Sequence, residues 1–472
     1  MIKMIFCAYL LFDIISFPQT NKTNLINKLD SLTASTFFDT ASISIDVFDL
    51  TSNENLYQKN NKLLLHPASN MKIFTTAAGL LFLGKDFAFE TSLYYDGIII
   101  DSTLYGNLYF VGGGDPDFTT ADLRVLISSI KNLGINRIQG NIFGDCTMLD
   151  SLFWGDGWMW NDDPSTDFPY LSALTINDNA VKVHVIPSEV NNKPKAFLEP
   201  RTSFFAIVNE AATVTGNRSS LGITRDYINR KNDIIIKGNI CQNDSVYSDE
   251  INVVYPQKYF LTLAEEEIEK LGISFIGAVE FSPLPGDAKH LSTRKRKFIE
   301  VINNLNKQSD NLSAEMTLRA LAFKYYGKPA TAKNGIKLVD SLIMLAGMNP
   351  KNYRVVDGSG VSHYNLVSAE LLNNVLKYFY TQQPHLYETL AQSFPIAGVD
   401  GTLKRRMRGT RAENNVRAKT GTVSGVSTLS GFVTAKNKHH LSFSLLIQNH
   451  VAKTYRAVYF LDKICSLLSE LE

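Results

Sequence analysis

Hydrophobic positions along this chain change their period several times. Residues 22 to 36 recur at helical spacing, and Ser42 to Val47 then alternates, placing Ile43, Ile45 and Val47 on one face of a predicted strand. Helical spacing returns from Ser69 to Leu83. From about residue 90 to 285 the pattern becomes short alternating runs broken by Gly, Asn and Asp, as where Leu108-Tyr109-Phe110-Val111 meets Gly112-Gly113-Gly114-Asp115-Pro116. That texture predicts a β-rich block. Beyond Lys297 the helical period resumes through Asn306, then from Leu312 to Tyr326, Ile336 to Ala346 and Ser368 to Tyr380. Strand-like runs near Val416 to Val423, Ser427 to Thr434 and Leu441 to Gln448 precede an amphipathic helix predicted from Thr454 to Leu471.

The simplest arrangement is one α/β domain made from both ends of the chain, residues 21–85 with 286–472. A mainly β region, 86–285, is inserted between them as one or two subdomains. No apolar stretch reaches the roughly 18 to 20 residues that span a bilayer. Lys3 followed by the apolar run from Ile5 to Phe12 predicts a secretory signal over residues 1–20 and hence a periplasmic or otherwise exported protein. An N-terminal strand is the alternative.

Composition narrows the class further. The 472 residues, 44% hydrophobic and 20% charged, support more than one packed core, which excludes a disordered regulator and a disulfide-stapled miniprotein. With 47 basic against 46 acidic side chains, charge supplies no case for a nucleic-acid partner. Four cysteines without a C-x-x-C pair exclude a zinc ribbon. Cys146 and Cys241 end similar segments, and in an oxidising compartment they either pair or remain two half-buried thiols.

Three short motifs carry the chemistry: Ser69-Asn70-Met71-Lys72, Ser309-Asp310-Asn311 and Lys419-Thr420-Gly421. S-x-x-K alone is weak, because Ser128 to Lys131 and Ser292 to Lys295 match it too; S-x-N and K-T-G each occur once. Only Ser69 has suitable surroundings. Pro67 precedes a helical run, so Ser69 falls in its first turn with Lys72 three residues on, within reach of the hydroxyl. A serine needs a base to become nucleophilic near neutral pH, and a lysine serves when burial or a second cation, here Lys419, keeps it partly unprotonated. Ser309 and Asn311 suit a tight loop facing a cleft. A strand places Thr420 and Thr422 on one face and Lys419 on the other, while Gly421 leaves room for a substrate along the edge.

These motifs, in this order, are a signature of penicillin-binding proteins and serine β-lactamases. The chain resembles class C low-molecular-mass penicillin-binding proteins, the D-alanyl-D-alanine carboxypeptidase/endopeptidases, over nearly its whole length. The likeness extends to the stretches Leu64 to Lys72, Val111 to Pro116, Ser172 to Asn179, Asp357 to Ser362 and Gly398 to Leu403. The 240-residue gap between Ser69 and Ser309 also matches the family's inserted domains. The resemblance implies an α/β (α+β) penicillin-binding/serine β-lactamase-like transpeptidase fold with large mainly β inserted domains. It further implies peptidoglycan peptides and β-lactams as partners, and no cofactor.

By the same resemblance Ser69 is the acylated nucleophile, Lys72 its base, Ser309 the proton relay to the leaving amine and Asn311 a partner for the substrate amide. Lys419 supplies electrostatics. Thr420, Gly421 and Thr422 bind substrate, with the two threonines on its terminal carboxylate, and the N–H groups of Ser69 and Thr422 form the oxyanion hole. Asp178 is a further candidate substrate contact. One position departs from the family: after Asp357 to Ser362 an arginine is usual and His363 stands, so a carboxylate contact there is not carried over.

Three other features weigh less. Trp154, Trp158 and Trp160 suggest a glycan path, although aromatics so close more often form a packed loop. Lys404-Arg405-Arg406 with Arg408 reads as a solvated basic loop, and His439-His440 lacks a third ligand at metal spacing. A β-lactamase and a non-turnover sensor of the same fold are the rival readings. An α/β-hydrolase is disfavoured by the absence of a G-x-S-x-G elbow.

Overall fold

The computed structural model describes residues 19–472; most of the expected signal, residues 1–18, lies outside them. In chain order, α1 (Gln19–Thr33), β1 (Ser42–Asp49) and β2 (Glu54–Lys59) lead to a 3-10 turn, Ala68–Asn70, and α2 (Met71–Ala78). The middle of the chain includes β3 (Ala88–Tyr95), β4 (Leu108–Val111), α3 (Thr120–Asn132), β5 (Ile142–Asp145), α4 (Pro256–Lys270), β6 (Val279–Phe281) and β7 (Lys289–Lys297). There follow α5 (Phe298–Asn303), α6 (Asn311–Tyr326), α7 (Ala332–Leu345), α8 (Ala369–Gln382) and α9 (Pro384–Ser393). The chain closes with β8 (Arg417–Val423), β9 (Val426–Thr434), β10 (His440–Gln448) and α10 (Thr454–Ser469).

Both ends of the chain meet in one antiparallel sheet of order β2-β1-β10-β9-β8. The alternation in β1 explains how it is covered. Ile43, Ile45 and Val47 pack with Leu25 and Leu29 of α1 and with Leu461 and Ile464 of α10, while Phe48 joins the α2, α6 and α8 residues on the other side. Helices therefore cover both faces. The deepest is α6, whose residues Asn311 to Ala322 are all buried; a helix enclosed on every side has no polar stripe to show.

In the middle of the chain a five-stranded sheet has the order β6-β5-β4-β3-β7, so β7, beyond residue 285, runs in it beside β3. Smaller sheets follow, including one built from Ala180–Ile186, Lys195–Glu199 and Tyr247–Asn252. The region also contains two helices that the β-rich texture did not anticipate. Both are amphipathic and bury Leu123, Leu126, Ile127, Phe260, Leu261 and Ala264 in its separate core. Their apolar stripes are interrupted by Thr, Ser, Lys and Glu, which masks the period when the segment is read beside so many short strands. Cys146, Cys241 and Cys465 are free thiols, so the pairing considered for Cys146 and Cys241 does not occur. No helix among the described residues is long and apolar enough to cross a membrane.

Candidate active site

Ser69 sits in the 3-10 turn that feeds α2, and the turn is built under strain. Ala68 has φ 46, a left-handed conformation that disfavours a side chain with Cβ. Two groups over-determine it. The His66 Nδ1 accepts the Ala68 N–H at 3.1 Å while its Nε2 donates to the Ser362 carbonyl at 2.9 Å, and burial holds the imidazole below its ordinary pKa in the neutral form this needs. Gly360 lies against the Ala68 carbonyl so closely that any Cβ there would meet its oxygen at 2.0 Å. Strain at a reactive residue persists when its surroundings hold it in this way.

Lys72, the second residue of α2 and one turn on from Ser69, is completely buried. Its Nζ donates to Ser69 Oγ at 2.9 Å, to the Ser359 carbonyl at 2.8 Å and, at very short range, to Asn311 Oδ1. Burial pushes its pKa from 10.5 to about 8, against the pull of Asp310, Asp357, Glu315 and Asp167. Asn311, the first residue of α6, also donates through Nδ2 to the Asp167 carbonyl at 2.6 Å. Ser309 precedes α6 in a left-handed conformation, φ 66, and accepts a 2.9 Å hydrogen bond from Lys419 Nζ.

Lys419 is also wholly buried, and its pKa lies well below the ordinary lysine value, first through desolvation and then through Lys72. Of the two routes the sequence offered for lowering Lys72, burial leads; Lys419 is not among its causes, whereas Lys72 does lower Lys419 further. On β8, Lys419 and Gly421 face the helical layer. A Cβ on Gly421 would come within 2.9 Å of both the Pro67 carbonyl and the Ser69 N–H, so glycine lets the strand edge lie directly against the serine turn. Thr428 Oγ1 donates to the same Pro67 carbonyl at 2.9 Å, and Thr420 Oγ1 donates to Thr402 Oγ1 at 2.7 Å.

A cleft of about 620 Å³ opens in front of these groups, lined by Ser69, Ser309, Asn311, Thr420 and Thr422. Lys72 and Lys419 lie behind it and Gly421 beside it. The other S-x-x-K serines are elsewhere: Ser128 Oγ bonds the Val125 carbonyl on α3, and Ser292 lies on β7.

Asp178, expected among the substrate contacts, does not line this cleft. It borders a different cavity with Arg124, Lys182 and Glu250. Asn177, Asp178 and Asn179 all have left-handed φ values, and the two asparagines are tied inward, Asn179 to Tyr170 and Ile176 and Asn177 to Thr120, with Asp178 exposed between them. Its carboxyl is pushed up to about 7 by its crowded surroundings and by Asp310, Asp117 and Glu250.

The cleft also has walls that motif spacing did not reveal. Met159, Asp162, Asp167 and Phe168 come from the middle of the chain, and His363, Arg406 and Val458 from its end. Arg406 is not the freely solvated residue expected of a basic loop, since Asp462 on α10 holds it at 2.5 Å. The Asp357 to Ser362 run is organised by one carboxylate: Asp357 accepts from the N–H groups of Gly360 and Ser362, from Asn365 Nδ2 and from Trp158 Nε1. Glu315 completes the support, accepting from Gly358 and Ser359 N–H at 2.8 and 2.9 Å, which fixes the carbonyl that Lys72 uses.

A covered antiparallel sheet, a serine paired with a buried lysine, a second serine paired with another and a strand edge against the first serine's turn define the penicillin-binding and serine β-lactamase class. The chain belongs to the D-Ala-D-Ala carboxypeptidase 3 (S13) family, whose pattern it matches over residues 25–461. It is 28% identical to the D-alanyl-D-alanine carboxypeptidase DacB of Haemophilus influenzae over 93% of this chain and 90% of that protein. It is 30% identical to the D-alanyl-D-alanine carboxypeptidase of Actinomadura sp. (strain R39) over 95% and 85%. The crystal structure of Haemophilus influenzae penicillin-binding protein 4 superposes with a TM-score of 0.81 at 27% identity, covering 94% of this chain and 99% of that one. Another structure of that protein is a complex with a β-lactam, with a TM-score of 0.78 at 26% identity over the same shares.

Proposed function

We propose that this protein removes the terminal D-alanine from peptidoglycan stem peptides through an acyl-enzyme on Ser69, and that β-lactams acylate the same serine. Lys72, in its neutral form, takes the proton from Ser69 Oγ as the oxygen attacks the carbonyl carbon of the penultimate D-alanine. The oxyanion develops toward the Ser69 and Thr422 N–H groups. Ser309, held by Lys419, passes a proton to the leaving nitrogen, the C–N bond breaks, and D-alanine departs. Water then cleaves the ester with Lys72 again as base. Thr420 and Thr422 receive the substrate carboxylate, Gly421 gives the strand its close approach, and Asn311 orients the peptide amide. Export to the cell-wall compartment belongs to the same reading.

The observation that carries the proposal is the wholly buried Lys72, with a pKa of about 8 and a 2.9 Å hydrogen bond to Ser69 Oγ. Fluorescent penicillin is expected to label the wild type and not Ser69→Ala, and the wild type is expected to release D-alanine repeatedly from a pentapeptide. Labelling retained by Ser69→Ala overturns the nucleophile, and acylation without turnover makes the protein a sensor. Digesting purified cell wall and resolving the products by mass separates carboxypeptidase from endopeptidase action on cross-linked dimers.

A further inference from the structure

The loop from Trp158 to Tyr170 has two working sides. Met159, Asp162, Asp167 and Phe168 face the catalytic cleft, while Trp158, Trp160, Asp163 and Tyr170 line a second cavity of about 440 Å³. Its opposite wall is Tyr227, Ile228 and Arg230. The tryptophans divide between two roles. Trp158 is 6% exposed and meets Trp154 edge to face at 5.3 Å, the packing expected of a crowded loop. Trp160 is 73% exposed, and its ring lies near-parallel to Tyr227, 19° apart with centroids at 6.4 Å. Ile228 and Leu152, exposed by 72% and 67%, extend this apolar surface.

The walls are held in place from beneath. Buried Arg225 bonds Asp163 of the loop, the Asn252 side chain and carbonyl, and the Lys231 carbonyl. It thereby fixes the Tyr227 to Arg230 turn against the Trp158 to Tyr170 loop. An exposed aromatic surface on a rigid support is a feature of ligand sites, since burial of the rings supplies binding energy without an ordering cost.

We infer that this cavity binds the glycan strand of peptidoglycan, with the C–H face of an N-acetylated amino sugar stacked on Trp160 and Tyr227. The inference rests on the peptidase reading of the cleft. A stem peptide whose D-Ala-D-Ala end lies at Ser69 is joined to its sugar through residues that reach at most about 14 Å for four residues. That limit keeps the sugar at the cleft's mouth or on the surface adjoining it. The Trp158 to Tyr170 loop separates the two spaces and belongs to both. A pyranose matches the chemistry of the walls, offering an apolar face to the rings and hydroxyl and amide groups to Arg230 and Ser151 at the rim.

The test uses the full chain, wild type and Trp160→Ala, and peptide-free glycan strands prepared by amidase digestion of peptidoglycan. The wild type is expected to bind the strands and Trp160→Ala to bind them at least tenfold more weakly, with fluorescent penicillin acylating both at rates within about twofold. KM for a disaccharide-pentapeptide is expected to rise at least fivefold in the variant, while KM for the free pentapeptide stays constant. Wild type that does not bind peptide-free strands, or equal binding by the two proteins, overturns the glycan site, as does a variant affected equally on both substrates. If the wild type hydrolyses neither substrate, the peptidase reading fails and the strand-binding comparison still decides the site.

Discussion

Two regions of this molecule bury cations and treat them in opposite ways. In the middle of the chain Arg225, fully enclosed, is ion-paired with Asp163 and further satisfied by Asn252 and the Lys231 carbonyl. In the region built from both chain ends, Lys72 and Lys419 are equally enclosed, yet among the described residues their hydrogen bonds end on neutral oxygens: Ser69, Asn311 and Ser359 for one, Ser309 and Thr420 for the other. A guanidinium cannot shed its proton and so needs a buried counter-charge, whereas an ammonium escapes the cost of desolvation by becoming an amine. The first arrangement braces two segments. The second leaves an amine within reach of a serine hydroxyl.

The second is also costly. Lowering the Lys72 pKa from 10.5 to about 8 corresponds to about 3 kcal/mol of stability forgone at neutral pH. The sign follows from proton counting. Between about pH 8 and 10.5 the unfolded chain binds more protons at this residue than the folded one, so its contribution improves as pH rises and its full cost is present below about 8. Natural cores retain such a group where function requires it.

If the amine is the reason for that arrangement, replacing it by guanidinium gives the largest effect. Lys72→Arg is expected to lower penicillin acylation by about 10³-fold, because guanidinium does not deprotonate near neutral pH. A loss below about tenfold in folded protein breaks the comparison at its centre. In wild type the acylation rate is expected to rise roughly tenfold per pH unit below about 8, as Lys72 loses its proton, and to level off above about 9. A profile flat from pH 6 to 9 assigns the base elsewhere.

Lys419→Arg retains a charge beside Ser309, and a loss of about tenfold is expected, clearly smaller than at Lys72. Equal losses at the two lysines refute their separate roles. The smallest catalytic effect belongs to Arg225→Met. It leaves Asp163 buried and unpaired and is expected to cost about 3 to 5 kcal/mol in denaturant unfolding, while acylation by a small β-lactam stays within about twofold. Acylation that falls as steeply as at Lys419 shows that the brace also shapes the cleft.

Much of the catalytic geometry was legible because it is local or written in rare motifs. Ser69 and Lys72 stand one turn apart on a helix start, and Thr420 and Gly421 take opposite sides of a strand by simple alternation. The three strands from Val416 to Gln448 and the strand from Ser42 likewise declared themselves by period. Asp178 shows where such reading stops. Its stretch resembles the family, yet Asp178 sits in the middle of three consecutive left-handed residues and borders a cavity other than the cleft, and backbone conformation of that kind has no periodic signature.

The order and chemistry of Ser69, Lys72, Ser309, Asn311 and Lys419 belong to the sequence alone, because residue type and helix or strand period decide what each can do. Tertiary structure decided how far the two lysines are driven toward the amine form, since desolvation of Lys72 and Lys419 depends on α6 and β8 closing around them. It also decided that Met159, Asp162 and Phe168 form a wall of the cleft, and that Trp160 stays in solvent while Trp158 packs. Those outcomes depend on contacts between residues hundreds of positions apart, such as Trp158 with Asp357 and Lys72 with Asn311. Only packing creates such contacts, and no local pattern encodes them.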